Sequence, residues 1–269
     1  MIASEAQEEV ELGDGHVTAV EQWGTGGPLL LCVHGITSSR KMWARTAQYF
    51  ATKYRVVAYD QRGHGDSAAL AGPMTLERSL ADLAAVAATL DGPIRGLIGH
   101  SWGGAVAILG GRRIACERVV AIDPMVHQAP GGWAADFVDG VRDVLAIPPA
   151  QRGPAIRAMF SAAPPIEIDA KAHAMASMRI EAIEALGAEN GADAGKWDLR
   201  EALRDYPKPL YLAVADPSDS VIFPDDLAFV RALGGPNVFI EVYTGEGHTL
   251  QRTAFEKFAA AADRFLAAG

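Results

Sequence analysis

The sequence is poor in several features that define whole classes of protein. It has only two cysteines in 269 residues, Cys32 inside the apolar run LLLCV and Cys116 far along the chain. Two cysteines placed in this way give neither the paired spacing of a zinc site nor a disulfide framework. No apolar run approaches the roughly 18 residues that a membrane span requires. We therefore expect no metal site, no disulfide scaffold and no membrane association.

The sequence also contains fewer basic than acidic residues. Lys and Arg together number 24 against 33 Asp and Glu, which gives a formal net charge of −9, and the basic residues are scattered along the chain. A nucleic-acid-binding surface needs clustered basic residues to neutralise phosphates, so nucleic acid is not expected as a partner. The first 15 residues are acidic and lack the basic start and apolar segment of a secretory signal, which predicts a cytoplasmic protein.

What the sequence does contain is a repeated alternation of strands and helices. Short apolar runs bounded by turn residues are separated by stretches with helical spacing, a pattern typical of a mostly parallel sheet with helices on both faces. The predicted fold class is therefore α/β. The predicted strands are residues 17–22, 29–33, 54–59, 94–98, 119–122, 210–215 and 238–243, with a hairpin strand near 9–12. The predicted helices are residues 40–51, 76–90, 102–109, 224–233 and 253–268.

Residues 125–206 interrupt this alternation. They contain no convincing strand and instead offer helical stretches broken by Pro and Gly, among them GPAIRAMF and a Met- and Ala-rich run over 170–186. The sequence thus predicts a core formed by residues 1–124 and 207–269, with residues 125–206 inserted as a helical cap.

The run LIGHSWGG, residues 97–104, places Ser101 between Gly99 and Gly103 where a predicted strand meets a predicted helix. A serine nucleophile needs a sharp, strained strand-to-helix turn with almost no side-chain bulk on its flanks. The free N–H groups at the helix start also favour negative charge that develops beside the serine. Ser101 is the predicted nucleophile.

A serine hydroxyl needs a base and a group that orients the base. His248, in GEGHTL, follows the last predicted strand, and Asp219, in ADPSDS, follows the strand before it. The chain order Ser, Asp, His is the order expected for this kind of turn. We therefore predict His248 as the base and Asp219 as the acid. Asp216 in the same turn and Asp123 in VVAIDP remain open alternatives for the acid.

An oxyanion formed at Ser101 needs two backbone N–H donors. Trp102, directly after the serine, is predicted to supply one, and Ile36, after His34 and Gly35, the other. Candidate walls of a substrate pocket come from the predicted cap: Met125, Trp133 and Phe160.

Six segments together resemble the successive landmarks of the α/β-hydrolase family: VHGITSS, YDQRGHGDS, GHSWGG, VVAIDP, LAVADPSD and GEGH. The resemblance covers nearly the whole chain outside residues 125–206. It implies an eight-stranded, mostly parallel sheet with a helical lid inserted after the sixth strand. It also implies that Ser101, Asp219 and His248 form a catalytic triad and that the N–H groups of Ile36 and Trp102 form the oxyanion hole.

The expected function is a cofactor-independent serine hydrolase acting on a small, apolar ester, lactone or thioester through an acyl-enzyme. A carbon–carbon hydrolase and a cofactor-free perhydrolase could use the same triad, so both remain alternatives. A small-molecule receptor that retains the triad is a third alternative from a different class. The sequence carries no signal for an oligomeric state.

Overall fold

The computed structural model describes residues 6–67, 72–127, 135–190 and 198–268. In these residues eight strands form one sheet in the order β1-β2-β4-β3-β5-β6-β7-β8. β2 runs antiparallel to β1 and β4, and the other neighbours are parallel. The predicted α/β fold class is confirmed. The strands are β1 Ala6–Glu11, β2 Val17–Trp23, β3 Leu29–Val33, β4 Arg55–Tyr59, β5 Ile94–His100, β6 Cys116–Ile122, β7 Leu210–Ala215 and β8 Val238–Tyr243.

Helices lie between the strands. Those of the core are α1 Ala44–Phe50, α2 Leu76–Thr89, α3 Trp102–Gly111, α9 Pro224–Leu233, α10 Leu250–Thr253 and α11 Phe255–Ala267. Between β6 and β7 lie α4 Ala135–Ala146, α5 Pro149–Met159, α6 Pro165–Ser177, α7 Ile180–Asn190 and α8 Arg200–Leu203. Short 3₁₀ turns cover Arg40–Trp43 and Gly65–Ser67.

The central strands are buried on both faces, which is why their sequences read as unbroken apolar runs. All residues of β3 and of β7 are buried. Successive side chains alternate between two hydrophobic clusters: Leu31 and Leu97 belong to the cluster on one face, and Cys32 and Ile98 to the cluster on the other. The sheet is therefore a rigid platform whose strand ends position the loops after them.

Several helix boundaries differ from the sequence prediction for local reasons. The predicted helix over 40–51 begins as a 3₁₀ turn, where Met42 N–H donates to Ser39 O at 3.1 Å, before α1 starts. The run over 170–186 divides because Met178 is extended, with φ −65° and ψ 141°. Ala254, with φ −108° and ψ 35°, separates α10 from α11. By contrast α2 begins as its sequence indicates, with the Thr75 side chain accepting from Arg78 N–H at 3.1 Å.

Residues 125–206, here called the inserted segment, connect β6 to β7. Some of their apolar side chains form a third cluster that includes Val141, Ile156, Met175 and Ile183, and others, such as Leu186 and Leu203, belong to the cluster that contains Leu31. Ile36, from the loop after β3, packs against both this cluster and the core cluster that contains Leu31. Through Ile36, the inserted segment thus contacts the loop that follows β3.

In the described part of the chain, no helix combines the length and the apolar character needed to cross a lipid bilayer.

The two glycines beside Ser101 should be sensitive to any added side chain. A Cβ at Gly103 would overlap the carbonyl oxygens of Val33 and His34, which are backbone atoms and cannot move aside cheaply. Gly103→Ala should lower the free energy of unfolding by about 1–3 kcal/mol, the usual cost of overpacking. Urea unfolding followed by circular dichroism measures this.

Gly187→Ala is the matched control, because Gly187 lies in α7 and a Cβ there meets no atom within 4 Å. This variant should gain roughly 0.5–1 kcal/mol from the lower entropy of its unfolded chain. Equal stability of the two variants would show that the close approach of β3 and α3 does not constrain the turn.

Candidate active site

Ser101 occupies a strained backbone conformation between β5 and α3. Its φ is 55° and its ψ is −120°, values that non-glycine residues rarely adopt. The turn is held on both sides, because Ser101 N–H donates to Ile122 O at 2.9 Å and Ala105 N–H donates to Ser101 O at 3.1 Å. Strain of this kind persists only where surrounding contacts fix it, and it is typical of functional sites.

The loop after β3 comes very close to this turn. A Cβ added to Gly35 would lie 3.0 Å from Ser101 Cβ and 3.0 Å from His100 Nδ1. Only glycine leaves room for this approach. The structure therefore brings the backbone of Gly35, and with it the neighbouring Ile36, close to Ser101. Trp102, which is 1% exposed, begins α3 directly after the serine.

His248 lies in the loop between β8 and α10, and its ring contacts a buried carboxylate. His248 Nδ1 lies 2.7 Å from Asp123 Oδ2. Asp123 directly follows β6, is fully buried and has a φ of 37°. A histidine held at Nδ1 by a carboxylate keeps its other nitrogen, Nε2, available to exchange a proton.

Three further donors surround the Asp123 carboxylate. They are Ser220 Oγ at 2.6 Å and Ala215 N–H at 3.0 Å, both to Oδ1, and Val221 N–H at 3.0 Å to Oδ2. Burial alone would raise the pKa of Asp123, but the hydrogen bonds and charge of His248, together with the bonds from Ser220 and Ala215, outweigh it and hold this pKa below its usual value. Asp123 is therefore ionised at neutral pH and can orient an imidazolium.

Asp219, the acid predicted from the sequence, does not contact the imidazole ring. Its side chain is exposed, and Oδ2 accepts from the backbone N–H of His248 at 3.1 Å. Sequence order alone could not separate the two candidates, because β6 and β7 are neighbours and both end at the same edge of the sheet. The turn after β7 directs Asp219 toward the backbone of the histidine loop. The structure therefore places the carboxylate of Asp123, and not that of Asp219, at the ring of His248. The sequence signal for Asp123 was its position immediately after the apolar run VVAI.

Asp216, the other open alternative, also supports the backbone of the histidine loop. Its Oδ2 accepts from Gly245 N–H at 2.8 Å, and its Oδ1 accepts from the N–H and the hydroxyl of Ser218. The hydrogen bonds from Gly245 and Ser218 lower the pKa of Asp216 to about 2. The turn after β7 thus fixes the loop that carries His248, and Asp123 fixes its ring.

His100 is a further contact of this loop that sequence reasoning did not identify. Its Nε2 donates to the backbone carbonyl of His248 at 2.9 Å, and the two rings lie 4.7 Å apart. Burial, and then the neighbouring His248, lower the pKa of His100 to about 3, so this ring is neutral at physiological pH. Because His100 immediately precedes Ser101, it ties the histidine loop directly to the serine turn.

The three candidate pocket residues lie in different places. Met125 lies beside the serine turn, where its N–H donates to Ser101 O at 3.4 Å. Phe160 is partly buried and packs against the hydrophobic cluster of the inserted segment. Trp133 lies outside the described residues.

In the described ranges, no group of three or more His, Cys, Asp and Glu side chains is arranged to hold a metal ion.

The comparison with known families decides the relationship. The family model for alpha/beta hydrolases matches residues 30–261. The chain belongs to the alpha/beta hydrolase family. The mostly parallel eight-stranded sheet with helices on both faces is thus that of an alpha/beta hydrolase, as the resemblance of the sequence motifs implied.

Two curated relatives each match about half of this alpha/beta hydrolase. A non-heme haloperoxidase from Rhodococcus erythropolis is 32% identical over 148 residues, covering 51% of this chain and 53% of the relative. A lipase, LipV, from Mycobacterium tuberculosis is 33% identical over 126 residues, covering 45% of this chain and 47% of the relative. The chain thus spans about half the length of these two relatives. Among solved structures, a hydrolase from Pseudomonas aeruginosa PA01 is 22% identical with a TM-score of 0.77, covering 99% of this chain and 100% of that one. This likeness shows the fold.

The contact between His248 and Asp123 has a spectroscopic consequence. A proton on Nδ1 shared with a buried carboxylate is shielded from solvent, so it should give a downfield imidazole N–H resonance in proton NMR. Asp123→Asn should abolish this resonance and Asp219→Asn should retain it. Loss of the signal in Asp219→Asn alone would show that the ring is oriented by the turn after β7.

Proposed function

We propose that this alpha/beta hydrolase is an enzyme that cleaves a carboxylic ester of a small molecule through a covalent acyl-serine intermediate, with no cofactor. The observation that carries the proposal is the 2.7 Å contact of His248 Nδ1 with the buried Asp123 carboxylate, beside a serine in a strained turn. Nucleophile, base and orienting acid are the three groups that acyl transfer by serine requires.

In the first step Ser101 Oγ attacks the ester carbonyl carbon while His248 Nε2 accepts the hydroxyl proton. The carbonyl π electrons move to the oxygen, which becomes an oxyanion. The N–H groups of Trp102 and Ile36 are the proposed donors to this oxyanion, and each such donor typically contributes about 3–4 kcal/mol to transition-state stabilisation. The ionised Asp123 stabilises the imidazolium that forms.

In the second step the tetrahedral intermediate collapses, the bond to the leaving oxygen breaks, and the His248 imidazolium gives its proton to that oxygen. Ser101 then carries the acyl group. Water repeats the sequence: His248 takes a proton from water, the hydroxide attacks the acyl carbon, and Ser101 recovers its proton as the acid leaves. Each proton transfer through a positioned base contributes on the order of 100- to 10,000-fold.

The names of relatives support hydrolysis in general and an ester substrate in particular. One partial relative is named a lipase, although the match covers less than half of each chain. The inserted segment is proposed to act as the cap of this site, because its hydrophobic cluster meets the oxyanion loop at Ile36. Substrate selection is therefore assigned to residues 125–206.

Removal of the nucleophile should abolish the activity. Ser101→Ala should remove turnover of 4-nitrophenyl acetate and labelling by a fluorophosphonate probe, because no other hydroxyl occupies the strained turn. Ser79→Ala, in α2, should keep both. Persistence of turnover and labelling in folded Ser101→Ala would contradict the mechanism.

The two aspartates should differ sharply in their effect on rate. Asp123→Asn should lower kcat by about 10³- to 10⁴-fold, because an amide at this position favours the wrong imidazole tautomer. Asp219→Asn should lower kcat by less than about tenfold, since it removes only an acceptor for a backbone N–H. Steady-state kinetics on 4-nitrophenyl acetate measure both values. A larger loss in Asp219→Asn would restore Asp219 as the acid.

A further inference from the structure

A cluster of positive charge lies beside the candidate active site in a protein that is acidic overall. Arg45 of α1 and Arg252 of α10 both bind Glu167 of α6, with Arg45 Nη1 2.5 Å from Oε1 and Arg252 Nε 3.2 Å from Oε2. Arg45 also lies 3.6 Å from Glu256, whose side chain is 82% exposed. The guanidinium groups of Arg45 and Arg252 thus share the buried carboxylate of Glu167.

Lys171 adds a third positive charge that this carboxylate does not neutralise. It lies one turn after Glu167 on α6, the spacing at which a Glu–Lys pair usually forms. Both Glu167 oxygens are already bound by the two arginines, and Lys171 Nζ instead donates to the backbone carbonyl of Thr37 at 3.3 Å. Across the described ranges, Lys171 makes no ion pair with a carboxylate.

The position of Lys171 places its ammonium group at the loops that frame Ser101. Thr37 directly follows Ile36, the proposed oxyanion donor, and has a φ of 61°. Arg252, whose charge acts on Lys171, lies in the short helix that follows His248. Helix α6, which carries Lys171, is anchored to the core at this point. His173 Nδ1 lies 3.3 Å from Ser39 Oγ, and His173 Nε2 lies 3.1 Å from Asp66 Oδ1.

The electrostatic state of Lys171 favours an anionic ligand. Burial, and then the nearby charge of Arg252, lower the pKa of Lys171 to about 8. The group is therefore still mostly protonated at neutral pH, but its charged form is penalised. A carboxylate brought against it would relieve that penalty and form a charge-assisted hydrogen bond.

We propose that Lys171 binds a carboxylate of the substrate, so that the enzyme acts on small esters that carry a free carboxylate in addition to the scissile group. This inference rests on the proposed function, since it names the substrate class of the same site. Lys171 is then a specificity-determining residue, and the cap selects charge as well as shape. This proposed preference for anionic esters differs from the small, apolar substrate expected from the sequence.

The test uses two pairs of esters that differ in charge at nearly constant shape. Mono(4-nitrophenyl) adipate and its methyl ester place the charge on the acyl side. 4-Acetoxybenzoate and its methyl ester place it on the leaving-group side. The wild-type enzyme should show at least tenfold higher kcat/KM for the anionic member of one pair. Lys171→Gln should lower that anionic-to-neutral ratio at least tenfold, mainly through KM.

Two further variants keep the test independent of folding. Lys171→Arg should retain the preference and Lys171→Glu should reverse it. Lys53→Gln, a lysine paired with Asp263 at the opposite end of the sheet, should leave the ratio unchanged. A wild-type ratio near one in both pairs, or an equal loss for both members in Lys171→Gln, would overturn the role of Lys171. Absence of turnover on all four esters and of fluorophosphonate labelling at Ser101 would instead overturn the proposed function.

Discussion

The fully buried carboxylate of Asp123 is the interaction on which the geometry of the site depends. An isolated carboxylate cannot stay charged in an apolar interior, and it is tolerated here because four donors surround it. Those donors come from the end of β7, the turn after it and the loop after β8. The ionised group therefore joins three neighbouring strand ends, and the same bonds that offset its desolvation fix the imidazole.

Different carboxylates contact the backbone and the ring of the histidine loop. The turn after β7 supports the backbone of the histidine loop through Asp216 and Asp219, while Asp123 orients the ring. His100 joins the same loop to the serine turn from the other side. The loop carrying His248 is thus held at its backbone from two directions.

Much of the fold and part of the site could be predicted from the sequence, and the reasons are local. Buried parallel strands such as β3 and β7 must be apolar throughout, so their bounds are read correctly from the run alone. The turn at Ser101 was predictable because Gly99 and Gly103 leave space that no other residue could leave. The choice between Asp123 and Asp219 depends on side-chain direction at adjacent strand ends, which spacing does not encode. The positive cluster at Lys171 arises from residues on α1, α6 and α10, whose proximity is a property of the tertiary structure.

Ile36 has a position with mechanical consequences. Its side chain packs on the core cluster and on the cluster of the inserted segment at once, and its neighbour Thr37 accepts a hydrogen bond from α6. Close-packed interiors transmit displacement instead of absorbing it. A shift of the inserted helices would therefore displace the peptide of Ile36, which carries the proposed oxyanion donor. Under the proposed function, substrate recognition by the inserted segment and alignment of the reacting carbonyl would be mechanically coupled through Ile36.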